Sequence, residues 1–171
     1  MLNVPDFSAV KGVIFDLDGT LIESSLDFKK MRDDIGCPQT QDILEFIDAL
    51  PNPADKQAAE AVVLQHELDD AQSAKWLPVG LAMIEQAQSL SLPMAIVTRN
   101  CHQAAHIKLT NNQAPINFIL TREDAPPKPD PTALLMVAEE WGIAPEELMY
   151  VGDFRYDKEA AINAGMQWHL V

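Results

Sequence analysis

In Val13-Ile14-Phe15-Asp16-Leu17-Asp18-Gly19-Thr20-Leu21, three branched or aromatic apolar residues stop abruptly at a carboxylate. The apolar trio has the texture of a short buried strand. A second acid follows at Asp18, and Gly19 then permits a tight turn. Asp and Gly are ordinary turn residues, so the stretch alone does not separate a turn from a site. A buried strand that delivers two acids to its carboxyl end is poorly suited to a core. It is well suited to holding a metal ion beside a reacting group.

Beyond this strand the texture is helical. Ser24 with Asp27 three residues later has the spacing of a capping box, predicting a helix to about Ile35 with Gly36 as its stop. A second helix is expected over Thr40 to Leu50, broken by Pro51 and Pro53, and a third over Ala54 to about Lys75 with Ala61, Leu64, Leu68 and Ala71 on one stripe. No strand-like alternation occurs between Ile22 and Pro78. From Val79 onward, helices and strands alternate: a helix over Val79 to Leu90, a strand over Pro93 to Val97 and a helix over His102 to about Thr110. A strand over Ile116 to Leu120, a helix over Thr132 to Trp141 and a strand over Met149 to Val151 follow, then a helix ending near Ala164 and a closing strand at Trp168 to Val171.

Alternation of this kind indicates an α/β fold, a Rossmann-like doubly wound parallel sheet with helices on both faces. Right-handed crossovers bring all strand carboxyl ends to one edge, where such sheets bind ligands. Asp16, Thr98 and Asp153 each terminate a predicted strand on that edge. The expected organisation is an α/β core of residues 1–21 and 79–171, with an all-helical cap, 22–78, inserted after the first strand.

Composition narrows the partners. Twelve Lys and Arg against 26 Asp and Glu give a net charge of −14, which repels nucleic acid and anionic membrane surfaces. No apolar run approaches the roughly 20 residues of a membrane span, and the N-terminal residues show no basic-then-apolar export signal. Cys37 and Cys101 are far apart in sequence and read as free thiols in a reducing, cytoplasmic setting. Oligomeric state is left open between a monomer and a weak dimer.

Phosphoryl transfer needs a nucleophile, a proton donor for the leaving oxygen, and positive charge on the phosphoryl oxygens. A carboxylate can be the nucleophile, but it repels a phosphate dianion unless a cation lies between them, a role Mg²⁺ suits. Asp16 and Asp153 can supply ligands from separate strand ends. Thr98 can donate its hydroxyl to a phosphoryl oxygen, helped by amides at the next helix start. Lys128 is the lone cation of the proline-rich loop Pro126-Pro127-Lys128-Pro129-Asp130-Pro131, whose stiffness pre-positions the charge.

Four motifs in order, Asp16-Leu17-Asp18-Gly19-Thr20-Leu21, Val97-Thr98-Arg99-Asn100, Lys128-Pro129 and Gly152-Asp153-Phe154-Arg155-Tyr156-Asp157, resemble the haloacid dehalogenase-like (HAD) superfamily of aspartate-nucleophile hydrolases. The resemblance runs from Gly12 to Gly165 and is nearest to phosphoglycolate phosphatase-like members with a compact helical cap. It implies Asp16 as nucleophile and metal ligand, and Asp18 as general acid/base that also offers the metal its backbone carbonyl. It further implies Thr98 and the Arg99 amide as phosphate-binding groups, Lys128 as stabiliser of the transferring group, Asp153 as the third protein ligand of Mg²⁺, and Asp157 as a partner behind it. Dehalogenases and phosphonatases of the family lack an acid at the position of Asp18, so the resemblance points to a phosphatase working through an aspartyl-phosphate. The rivals are a phosphomutase of the same family and a non-catalytic acidic interaction protein that keeps the fold.

Other features read as bland. His102 and His106 have zinc-like spacing but no third ligand and read as a solvated helix face. Cys101 has no histidine to activate it. Trp76, Trp141 and Trp168 read as packing. Glu67-Leu68-Asp69-Asp70 reads as a solvated helix face, and Arg32 with Lys29 or Lys30, on the first cap helix, can read a leaving group, with surface solubility as the preferred reading.

Overall fold

The computed structural model describes residues 1–171. Gly12–Phe15 (β1) is the middle strand of a five-stranded sheet, and all four of its residues are buried. A strand hidden on both faces needs paired neighbours at both edges and helices above and below. The neighbours are Met94–Val97 (β2) and Leu148–Gly152 (β4), flanked in turn by Ile119–Leu120 (β3) and Gln167–Leu170 (β5). All pairings are parallel, in the order β3-β2-β1-β4-β5. Phe15 pairs with Ile96 on one side and Val151 on the other, so Asp16 stands within one residue of the level of Thr98 and Asp153.

Side-chain alternation along β1 divides the core in two. Val13 and Phe15 face a cluster completed by Met83, Ile84 and Ala87 of Pro78–Ser89 (α4) and by Ala105 and Leu109 of His102–Asn111 (α5). Ile14 faces the opposite cluster, built from Leu134 and Val137 of Thr132–Trp141 (α6) and Ala160, Ala161 and Ala164 of Arg155–Ala164 (α7). The doubly wound parallel sheet expected from the alternation is the observed architecture.

Between Ile22 and Pro78 lie three helices, Phe28–Ile35 (α1), Ile43–Asp48 (α2) and Pro53–Ser73 (α3). Met31, Ile43, Ile47, Ala59 and Val63 form their shared apolar centre. The two connecting segments run side by side: Glu23 donates its backbone N–H to Lys75 O at 2.9 Å, and Ile22 bridges to Trp76. Trp76 donates its indole N–H to Asn112 O across this junction. No helix is long and apolar enough to cross a membrane.

Several local expectations differ from the structure. Ser24 does not cap α1. Asp27 does, accepting from Lys30 N at 3.0 Å, because its side chain stands immediately before the first helical turn. Pro53 opens α3 behind the cap Asn52, its missing N–H being one the helix start leaves unpaired anyway. The buried seam of α3 is Ala59, Val63, Glu67 and Ala71, while Ala61 is exposed. A helix rich in alanine offers little apolar contrast, so a seam that contains an acid is hard to see. The third strand is confined to Ile119–Leu120: Pro115 has no N–H for a ladder, and Ile116 turns into the core. The last strand begins at Gln167, one residue before expectation.

Ile14 is fully buried at the centre of the second cluster. Replacing it with alanine is expected to lower stability by about 2–5 kcal/mol, read as a reduced urea midpoint with little change in slope.

Candidate active site

The loop after β1 brings the first two acids to the sheet edge. Gly19 has φ of +74°, which glycine adopts without strain, and a Cβ on it would lie 2.2 Å from Asp153 Oδ2, so glycine here suits both the turn and the close approach of Asp153. Gly152 allows a close approach one strand away, since a Cβ there would meet the Asp157 carboxyl at 2.3 Å.

Lys128 sits at the centre of the site, 4% exposed. Its ammonium donates to Asp16 Oδ1 at 2.9 Å, Asp157 Oδ1 at 2.6 Å and the Tyr150 hydroxyl at 2.6 Å, which uses all three of its protons. Tyr150 passes its own proton to Val97 O at 2.8 Å. Asp157 Oδ2 accepts the backbone N–H groups of Asp153 and Phe154, both at 3.1 Å. Asp157 thus joins Lys128 to the turn that carries Asp153. Burial lowers the affinity of Lys128 for its proton, but Asp16 and Asp157 outweigh it, and the pKa stands above the ordinary lysine value.

Asp16, Asp153 and Asp157 place carboxylate oxygens within 4.8 Å of one another. Burial, followed by the opposing pull of Lys128 and the repulsion of Asp157 and Asp153, leaves the Asp16 carboxyl well above the usual carboxylate range. Asp153 is also raised, first by burial. One lysine therefore does not neutralise the cluster. Clustered hard oxygen donors with unmet negative charge fit a divalent cation such as Mg²⁺. Asp157, whose oxygens already take an ammonium and two amides, is the least available of the three.

Asp18 faces a separate set of partners. Asn100 Nδ2 donates to its Oδ2 at 2.9 Å, and the buried ammonium of Lys108, on α5, donates to its Oδ1. Burial raises its pKa despite Lys108. Thr98 is buried at the end of β2, and its Oγ1 accepts from Asn100 N at 3.1 Å, leaving the hydroxyl proton free. The side chain of Arg99 donates one nitrogen to both oxygens of Asp42, at 2.8 Å each, with Tyr156 against its guanidinium at 4.7 Å.

One cavity of about 650 Å³ opens at these strand ends, lined also by Asn100 and by Arg32, Gln41 and Asp42 from the helical block. The structure brings Asp16, Asp18, Thr98, Arg99, Lys128, Asp153 and Asp157 to this one place. Arg32 is among the lining residues, so its reading as plain surface is incomplete. Lys29 and Lys30 do form exposed pairs with Asp33 and Asp34.

The acidic stretch of α3 is a solvated face only at Asp69, which is exposed. Glu67 is buried, pairs with Arg122 and accepts from Cys101 N at 3.0 Å, while Asp70 pairs with Lys108 at 2.7 Å. Isolated residues cannot announce such pairs, because the partners lie 55 and 38 positions away. Lys108, Arg122 and Tyr150 are likewise invisible as site residues in the sequence, and Asn100 is named there only as the end of the Thr98 motif. His102 and His106 stack on each other at 6.2 Å without a third ligand.

A model of the haloacid dehalogenase-like hydrolase family matches residues 27–171. An uncharacterised hydrolase of Saccharomyces cerevisiae is 32% identical over 165 residues, covering 91% of this chain and 74% of that protein. A phosphoglycolate phosphatase of Thiobacillus denitrificans is 30% identical, covering 91% and 80%. Among solved structures, a hydrolase from Pseudomonas syringae superposes with a TM-score of 0.75 at 24% identity, over 92% of this chain and 82% of that one.

Burial, with the Glu67 carboxylate adding to it, pushes the Cys101 thiol up to about 11. Roughly one thiol in a thousand is then ionised at pH 8. Iodoacetamide is expected to leave Cys101 unmodified in the native protein and to alkylate it in guanidinium, as peptide mass spectrometry would show. Lys128→Met strands two buried carboxylates and should cost about 3–5 kcal/mol in urea unfolding without divalent cations.

Proposed function

The chain belongs to the haloacid dehalogenase-like hydrolases, and from that membership we propose that it is a Mg²⁺-dependent phosphomonoesterase of small phosphorylated metabolites. One observation carries the proposal: Asp16, Asp18, Thr98 and Lys128, from three separate segments, meet in a single cavity at the carboxyl edge of the sheet.

Asp16 attacks phosphorus. Its Oδ–P bond forms as the bond from phosphorus to the leaving oxygen breaks, and Asp18 gives its proton to that oxygen. Water then attacks the aspartyl-phosphate with Asp18 taking the proton back, releasing inorganic phosphate and the free Asp16 carboxylate. Thr98 donates its free hydroxyl proton to a phosphoryl oxygen, and the Arg99 amide adds a second donor. Lys128 holds Asp16 by one oxygen and opposes the charge gathered on the phosphoryl group. Asp16, Asp153 and the backbone carbonyl of Asp18 would hold Mg²⁺, which when bound offsets the repulsion between the acids and the phosphate. Asp157 keeps Lys128 and the Asp153 turn in register. Residues 22–78 serve as the cap that surrounds the leaving group, over a core of 1–21 and 79–171.

Hydrolysis is favoured over a mutase by the name of the Thiobacillus relative, a phosphoglycolate phosphatase. A panel of phosphorylated metabolites headed by phosphoglycolate and sugar phosphates, assayed with and without Mg²⁺, should release inorganic phosphate only with the metal. A hexose 1-phosphate should give free sugar and not its 6-phosphate. Asp16→Asn should keep the circular dichroism spectrum and lose turnover to below detection. Near-normal activity in that variant would exclude the aspartyl-phosphate.

A further inference from the structure

Lys108 is fully buried on the face of α5 that also carries Ala104, Ala105 and Leu109. An ammonium in such a place is costly unless it is paired and hydrogen-bonded. It has two partners, from separate segments of the chain: Asp18 of the β1 loop and Asp70 of α3, the latter at 2.7 Å. Asp70 is itself fixed, because its other oxygen accepts Ser25 N at 2.7 Å, from the segment that leads out of the β1 loop into the helical block.

The contact of α3 with the core has other ties besides this lysine. Ala71 packs against Cys101 and Ala104, Glu67 pairs with Arg122, and Asn112 Nδ2 donates to Ala74 O at 2.9 Å. What Lys108 adds is a hold on one oxygen of Asp18, while Asn100 holds the other. A carboxyl side chain rotates between several wells, and a proton donor misplaced by an ångström loses much of its effect. Two donors from different directions select one orientation, with the Asp18 side chain still 23% exposed to the cavity.

We infer that Lys108 is a positioning residue for Asp18: its ammonium, shared with Asp70 of α3, holds the acid in reach of the leaving oxygen and makes that placement depend on docked α3. The inference rests on the role proposed above for Asp18 as proton donor.

The test compares p-nitrophenyl phosphate, whose leaving oxygen needs little protonation, with phenyl phosphate, which has nearly the same shape and a much more basic leaving oxygen. Lys108→Met is expected to lose roughly 10- to 100-fold in kcat/KM on phenyl phosphate and no more than about 3-fold on p-nitrophenyl phosphate. Asp70→Asn should show the same bias at smaller size, and Asp18→Asn the largest. Equal losses on the two esters, or none, in Lys108→Met would overturn the inference and leave Lys108 a structural tie. An absence of bias in Asp18→Asn would instead remove the proton-donor role on which it rests. If Lys108→Met does not fold by circular dichroism, the double variant K108M/D70L, which removes a stranded carboxylate together with the cation, takes its place in the same comparison.

Discussion

A single buried ammonium holds the site together. Lys128 lies where β1, β2 and β4 end, and its three protons tie Asp16 of one strand end to Asp157 behind another and to Tyr150, whose hydroxyl reaches the backbone of the third. Without a cation there, the carboxylates of Asp16, Asp153 and Asp157 would crowd together in a region of low dielectric, where their repulsion is large. The cluster is therefore assembled around positive charge and remains short of it. Burial and mutual repulsion keep Asp16 and Asp153 inclined to hold protons even with Lys128 present. A site in that condition gains by taking up a second, divalent positive charge, which is also what an incoming phosphate dianion requires.

The same electrostatic logic extends outward to the helical block. Three cations of the α/β core, Arg99, Lys108 and Arg122, each meet an acid of that block, Asp42, Asp70 and Glu67 respectively. The excess acid of the whole chain is thus not all spread over its surface. Part of it is drawn inward to pair with basic groups in and behind the cavity wall. Ion pairs of this kind add little net stability, because desolvation offsets most of their attraction, but removing one partner is costly. Their effect is to fix where α2 and α3 sit relative to the strand ends, since a displaced helix would leave a charge buried and alone.

Much of the fold was legible because parallel sheets write a plain pattern. Val13-Ile14-Phe15 and Met94-Ala95-Ile96-Val97 are short apolar runs bounded by polar turns, and glycines at 36, 142 and 165 mark helix ends, each in the left-handed conformation. What failed were local contests between similar signals. Ser24 and Asp27 both suit a helix cap, and only the position of the first turn selects Asp27. Ile116 has strand character, yet its side chain gains more from the core than its backbone would from an edge ladder.

In the site, the residues at strand ends could be found because topology alone brings strand ends together. Lys108, Glu67, Asp70 and Arg122 belong to helices and a late loop, and nothing in their neighbours along the chain says which way they face. Their meaning is relational: Glu67 reads as surface until Arg122 and the amide of Cys101 are seen against it. A buried charged residue on a helix of mixed texture looks, in one dimension, the same as an exposed one. The physical difference is the cost of burying it, and that cost is met only by a partner supplied in three dimensions. It follows that the groups which hold Asp16 and Asp18 in place are harder to read than Asp16 and Asp18 themselves, although the chemistry requires both sets.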